Sequence, residues 1–525
     1  MTVVSLPLPR IFRPPPEGAQ RRGVVWLRTH WLSLLVLAPL LAVVGFVGFR
    51  NFDGYPGTVN DDEGTYVAQA WAIVHRGDLA HYTYWYDHPP LGWIQIAFYA
   101  WLTRGFDRAD VAVVMGREVM LIATVVTAGL IFLILRRLRF NRAVAAVGVV
   151  LFTLSPLAVY YHRMVFLDNI AVAWVVAAMA FAVSPRRSLG AAFGAGACLT
   201  IATLSKETAG IALPVVVYLL WRNNPKGSRS WALGVFSTTY LSLCSFYLLY
   251  AALKGELLPG TGHVSMVSAL IWQMFGRPPS GNPLDTGSGT HGLLMHWLHM
   301  DWWLPLGALA LLPLAFVYRR LRPIALGYAI QVALLFKSGY VPKAYVIALL
   351  PFAALLVAGV IGNLCTPRPQ HRFNLPGVAA AVALVLAFGV FGSAQWREGL
   401  HRSATRDSVV HYEQTLAWVR ANIPRDAAVV VDDNLWPDLQ KYGYTRAEWL
   451  YKVDLDPEVK ARFPRGYTDI DYVIIDRLPS QLLRGLPTVY EAIGNSDVVA
   501  RFGNEDIEYS VYRVRRNTHE GSGFP

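Results

Sequence analysis

Residues 60–66 read NDDEGTY and residues 86–93 read YDHPPLGW. They place three consecutive carboxylates, Asp61, Asp62 and Glu63, and then Asp87 and His88, just after the first long apolar run of the chain. Ionisable groups beside a membrane are expensive to hold and mark function by default. More of them follow: Arg117, then Arg163 and Asp168 in YYHRMVFLDN, Lys206 and Glu207 in LSKETAG, and Lys337 and Lys343 in KSGYVPKAY. A set of cations suits an anionic group such as phosphate, and a carboxylate among them suits a general base. Each has a structural alternative. Asp62 is placed to cap a helix over YVAQAWAIV, and the HPP sequence favours extended backbone at His88. Lys206, Arg117 and Lys343 are placed to snorkel to an interface, and Asp168 to pair with Arg163.

The elements that position these groups are membrane helices. Of the 525 residues 54% are hydrophobic and 16% charged, against about a quarter charged in soluble domains. Apolar stretches such as WLSLLVLAPLLAVVGFVGF (31–49) and MLIATVVTAGLIFLIL (120–135) are long enough for a hydrocarbon core of roughly 30 Å. The first run lies about 30 residues in and lacks a small-residue cleavage site, so it reads as a retained helix. The net charge of +12 is gathered in short arginine-rich loops at 21–23, 136–142, 185–187, 221–229, 318–322 and 368–372. That distribution sets orientation across a membrane and argues against nucleic acid.

Putting all six loops on the cytoplasmic side gives about eleven crossings, near 31–50, 116–135, 143–161, 168–183, 189–204, 207–221, 231–252, 302–317, 323–337, 341–363 and 376–394. The amino terminus is then inside and the carboxyl terminus outside, and LGWIQIAFYAWLTRGF (91–106) is expected to lie along the outer interface.

The expected organisation is a cytoplasmic lead over 1–30, a transmembrane module over 31–396 and a soluble extracytoplasmic α/β domain over 397–525. The module carries outer loops at 51–115 and 253–301. In the tail, AAVVVDD, DYVIID and EYSVYRV read as strands and VVHYEQTLAWVRANI as a helix. Cys198, Cys244 and Cys365 fall in or at the ends of expected helices, so no disulfide framework is expected. His291, His296 and His299 lack a zinc spacing with Cys or acid, and Asp432 and Asp433 read as loop starters. No metal or other cofactor is called for.

The motifs together resemble the type C glycosyltransferases, polytopic enzymes with polyprenyl-phosphate sugar donors, and among them the protein O-mannosyltransferases and the lipid A aminoarabinose transferases. The likeness covers most of residues 31–365. DEGTY resembles the family's acidic first-loop motif, and YDHPPLGW its His-Pro-Pro-Leu-Gly motif, with Trp93 where the mannosyltransferases usually carry Lys. FLDN resembles the second acid, LSKE the Ser/Thr-Lys turn, and YVIALLPFAALL (345–356) the Tyr-x-x-x-x-x-Pro helix.

The resemblance implies inverting transfer of a sugar to an acceptor hydroxyl on the outer face of a bacterial cytoplasmic membrane. In it Asp62 is the general base and Asp168 a second catalytic acid. Lys206, Arg117, Lys343 and Tyr345 bind the donor phosphate, and Glu63, Asp87, His88, Arg163 and Glu207 contact substrates. The implied partners are the lipid-linked donor, membrane lipids and a glycan, lipid or protein acceptor. A transporter or flippase of lipid-linked sugars is the alternative, although transporters usually hold charges at mid-membrane in repeated halves. A surface-anchored binding protein acting through its tail is a third reading.

Overall fold

The computed structural model describes residues 17–57, 61–337, 339–366, 374–476, 485–503 and 508–515. The lead over 1–16, the arginine-rich stretch at 368–372 and the Asp61 side chain lie outside that description.

The chain is a multi-pass membrane protein. Each apolar segment picked out above is helical, and among the described residues five helical segments are long and apolar enough to cross a membrane: those at Arg28–Phe49, Ala112–Arg137, Lys226–Leu253 and Tyr345–Leu364, and one opening at Leu375. Two bent pairs raise that to as many as seven. Helix Arg142–Leu154 turns by 61° into Pro156–Arg163, because Pro156 at a first helical position cannot continue the hydrogen-bond ladder behind it. Helices Gly289–Met300 and Trp303–Val317 meet at 102°. Helices Leu167–Ala182 and Leu189–Ser205 are shorter apolar helices.

The first loop is itself helical. Asp61–Arg76 buries Val67, Ala68, Ala70 and Ala72 completely, and these small side chains let Leu91–Thr103 lie close against it. On Leu91–Thr103, Trp93, Ile96 and Ala100 face inward while Phe98, Trp101 and Leu102 are exposed, an amphipathic division that suits a helix at an interface.

The tail holds a five-stranded sheet in the order β2-β1-β3-β5-β4, made of β1 (Val429–Val431), β2 (Ala447–Trp449), β3 (Tyr472–Ile475), β4 (Ser496–Gly503) and β5 (Glu508–Val514). β1 is parallel to β2 and β3, and β5 is antiparallel to β3 and β4. The VVV and YVII runs are apolar throughout because these inner strands are covered on both faces. The sequence reading finds β1, β3, β5 and the helix at Val410–Asn422. It misses β2, only three residues long, and β4, whose face is largely exposed.

The sheet does not stand apart from the rest. One continuous apolar core joins Trp71, Trp93, Phe152 and Leu350 to Tyr412, Val429, Trp436 and Trp449, while a smaller cluster with Val430, Val453, Val473 and Val489 fills the other face. Trp436 packs edge-on against both Trp71 of the first loop and Trp449 of β2.

Candidate active site

Helix Leu189–Ser205 ends where Lys206 adopts an extended backbone, and a 3₁₀ turn, Glu207–Ala212, follows. The break presents two successive charged side chains to the HPP segment. Lys206 Nζ lies 2.8 Å from His88 Nε2, and His88 Nδ1 lies 3.0 Å from Glu207 Oε2. An ammonium only donates, so His88 accepts at Nε2 and donates from Nδ1 to the carboxylate. Asp87 reaches the same imidazole at 3.7 Å while accepting from Gln273 at 2.7 Å.

Lys206 also approaches the Tyr66 hydroxyl at 3.4 Å. Burial, and then the carboxylates of Asp62, Asp168, Asp87 and Glu207, push the Tyr66 phenol well above its ordinary range. Tyr66 thus feels the charge of four acids. It lies four residues after Asp62, on the same helical face; that spacing was its signal in the sequence.

Asp168 sits in the first turn of Leu167–Ala182, where the helix dipole favours a carboxylate. Asn169 shapes the preceding turn by donating to the carbonyls of Tyr161 and Met164. The charges that act on Asp168 are those of Lys206, Glu207 and His88.

Asp168 and Lys206 open onto a cleft of about 810 Å³, partly open to solvent. Its walls are otherwise mostly apolar, including Ala171, Val175, Ile211, Leu334, Pro351 and Phe352, and Lys337 stands at its rim. Tyr345 lines the cleft with its hydroxyl donating to the Gln331 carbonyl at 2.7 Å. Tyr345 and Pro351, six residues apart, thus reach one cleft from one helix.

Several expected ligand-binding groups are placed differently. Arg117 and Glu63 are both fully buried and form an ion pair at 3.5 Å. Arg117 also donates to the carbonyls of Phe52, Asp53 and Gly57, and Glu63 accepts from the Val165 amide at 2.8 Å. Burial raises the Glu63 carboxyl, opposed by the Arg117 guanidinium. Neither lines the cleft: Arg117, expected as a phosphate ligand, and Glu63, expected as a substrate contact, form a buried brace in this structure. Gly116 lets this helix approach so closely, since a Cβ there would sit 2.8 Å from Val67.

Arg163, expected as a substrate contact, is likewise bonded within the fold. It donates to the carbonyls of Val47, Arg50, Asn51, Tyr55 and Ser403, tying the end of the first helix to the start of the tail. Lys343 lies outside the Lys206 cleft and lines a second one, with His296 and His299, whereas Lys337 lines the Lys206 cleft.

The tail reaches the acidic motif directly. The Thr65 hydroxyl donates to Asp433, the Ala112 amide to Asp438 at 2.9 Å, and Lys452 Nζ to Thr83 at 2.8 Å. Gly64 lies against the Asn434 backbone, where a Cβ would come within 2.3 Å of the amide nitrogen. Asp433, read as a loop starter, therefore holds the helix that carries Asp62. Asp62 itself is half-buried, and its charge acts on both Glu63 and Tyr66. Among the described residues no three His, Cys, Asp or Glu side chains are grouped to hold a metal ion.

Residues 87–250 match the family model described as dolichyl-phosphate-mannose-protein mannosyltransferase. No curated protein sequence matches the chain. Among solved structures, ArnT from Cupriavidus metallidurans bound to undecaprenyl phosphate superposes with a TM-score of 0.59 at 16% identity, over 92% of this chain and 98% of that one. The archaeal oligosaccharyltransferase AglB from Archaeoglobus fulgidus, in complex with an inhibitory peptide and a dolichol-phosphate, does so with a TM-score of 0.51 at 12% identity, over 86% of this chain and 70% of that one.

Proposed function

From the fold of the type C glycosyltransferases, which this chain has, we propose a membrane enzyme that moves a sugar from a polyprenyl-phosphate donor to an acceptor hydroxyl. The observation that carries this reading is a cluster of charges, Lys206, His88, Glu207 and Asp168, at the head of a cleft walled mainly by apolar side chains. A ligand that fits it has an anionic head and a hydrocarbon tail.

In the proposed reaction the acceptor oxygen attacks the anomeric carbon from the face opposite the phosphate. The carbon–oxygen bond to phosphate breaks, its electron pair leaves with the phosphate, and Asp62 takes the acceptor proton. One displacement inverts the anomeric centre. Lys206, with Lys337 at the rim, meets the charge that grows on the leaving phosphate. His88 and Glu207 hold Lys206 by hydrogen bonding and opposite charge, so the cation is in place before the bond breaks. Asp168 faces Lys206 across the cleft head and orients the sugar. The reaction is placed on the outer face of a bacterial cytoplasmic membrane, the side that the arginine-rich loops leave to the acidic loop.

The test is an assay of purified protein with a polyprenyl-phosphate sugar and a membrane extract as acceptor. The expected outcome is a transferred sugar of inverted configuration, lost in Asp62→Asn. Full product from Asp62→Asn removes the base assignment, and movement of intact donor across vesicles without bond cleavage replaces the enzyme by a transporter.

A further inference from the structure

The cleft that takes Lys343 has about 1240 Å³ of space and is bounded by parts of the chain far apart in sequence. Lys343 comes from the loop before Tyr345–Leu364, His296 and His299 from helix Gly289–Met300, and Arg402 and Arg406 from the end of helix Ser393–Thr405 and just beyond. None of the described residues lining it is Asp or Glu. The nearest acid to Arg402 is Glu398, at 3.7 Å on the exposed side of its own helix.

Lys343, Arg402 and Arg406 are the charged side chains among the described lining residues, and all three are cations. Arg402 and Arg406 both act on the Tyr55 phenol against the rise that burial gives it. Part of the remaining wall is aromatic: Tyr55 meets Tyr160 edge-on at 5.7 Å, and Tyr161 stacks on Phe166 at 6.2 Å, beside Met164, Leu293 and Met300. Flat rings with a few charged groups around them suit a ring-shaped, oxygen-rich ligand that carries negative charge.

Its place relative to the first cleft matters most. Met164 and Phe166 line this cleft and Asp168, two residues on, lines the other. Val165 between them is bonded to Glu63, the neighbour of Asp62. The two clefts therefore share one wall, and the acidic motif is tied to it.

We propose that this second cleft is the acceptor subsite and that the acceptor is an anionic saccharide, bearing phosphate or carboxylate groups that Lys343, Arg402 and Arg406 engage. The inference rests on the transferase reading above and adds to it the charge and class of the acceptor. Lys343 and the two arginines then set acceptor specificity and leave the donor untouched.

The test uses the full-length protein in neutral detergent and two readouts: transfer to a membrane acceptor fraction at graded concentration, and slow release of free sugar to water with no acceptor present. In the double variant Lys343→Gln, Arg402→Gln the half-saturating acceptor concentration is expected to rise about tenfold, with release to water unchanged. Glucose 6-phosphate is expected to compete with the acceptor for the wild-type protein, and glucose is not. An unchanged half-saturating concentration, equal competition by glucose, or loss of water release in the variant alone overturns the proposal. Absence of release in wild type as well counts against the transferase reading itself.

Discussion

Two groups of buried charge lie within a few residues of one another and are built to opposite plans. Around Arg117 and Arg163 most of the demand is met from inside, although Arg117 Nε, Arg163 Nε and Glu63 Oε2 are buried without a hydrogen bond. Arg117 is matched by Glu63 and three carbonyls, and Arg163 by five carbonyls from the first loop and the tail. Around Lys206 the charges also pair, with His88 and Glu207, but the group fronts an open cleft. Guanidinium, with five donors in a rigid fork, suits the first task, and a compact ammonium that presents its charge to a ligand suits the second. Burial alone does not distinguish brace from reagent; among these cations, what separates them is whether space adjoins the charge.

The contrast can be broken by mutation, most forcefully at the proposed base. Asp62→Asn is expected to lower transfer by about 10²–10⁴-fold with thermal unfolding in detergent unchanged. Lys206→Gln is expected to cost about 10²–10³-fold in turnover, again with the folded protein recovered in full yield. The braces should behave the other way. Arg163→Gln and Arg117→Leu are expected to lose about 3–5 kcal/mol of stability, read as a lower unfolding temperature, since each strands buried groups that only the arginine satisfied. Adding Glu63→Leu to Arg117→Leu should recover much of that loss, because no charge is then left alone in the core. If Arg117→Leu keeps its unfolding temperature but loses donor binding, the division drawn here fails at its clearest point.

The smallest effect is expected in the docking of the tail. Burial, and then the Lys452 ammonium, push the His81 imidazole down to about 3. Its ordinary value is 6.5, so the folded state prefers the neutral ring. That contribution is complete above pH 6.5 and is lost as the pH falls toward 3. Amide exchange at the interface of His81 with Trp449 should quicken over that window, and His81→Phe should flatten the dependence.

Much of the fold was legible in the sequence because spanning helices announce themselves through long apolar runs. Much of the Lys206 cluster was legible too, since His88, Asp168, Lys206 and Glu207 all lie at or near the ends of such runs. The bonding of Arg117 and Arg163 was not legible for a physical reason: their partners are mostly carbonyls of the 47–57 stretch, and backbone acceptors carry no residue signature. Lys337 and Lys343 are six residues apart in an irregular loop, where no period says which side chain faces which cleft. Asp433 was passed over because its partner, Thr65, is 368 positions away, beyond the reach of any local pattern.

That last separation bears on how the molecule is made. The DEGTY helix leaves the ribosome hundreds of residues ahead of the strand-end aspartate that clasps it, and the bare Gly64 face must wait while the later helices are inserted. Loop closure over such a span is slow and rewarded only at the end. A nascent chain halted before Asp433 can embed its helices and still lack the clasp, so the order of synthesis makes the acidic motif among the last parts to settle.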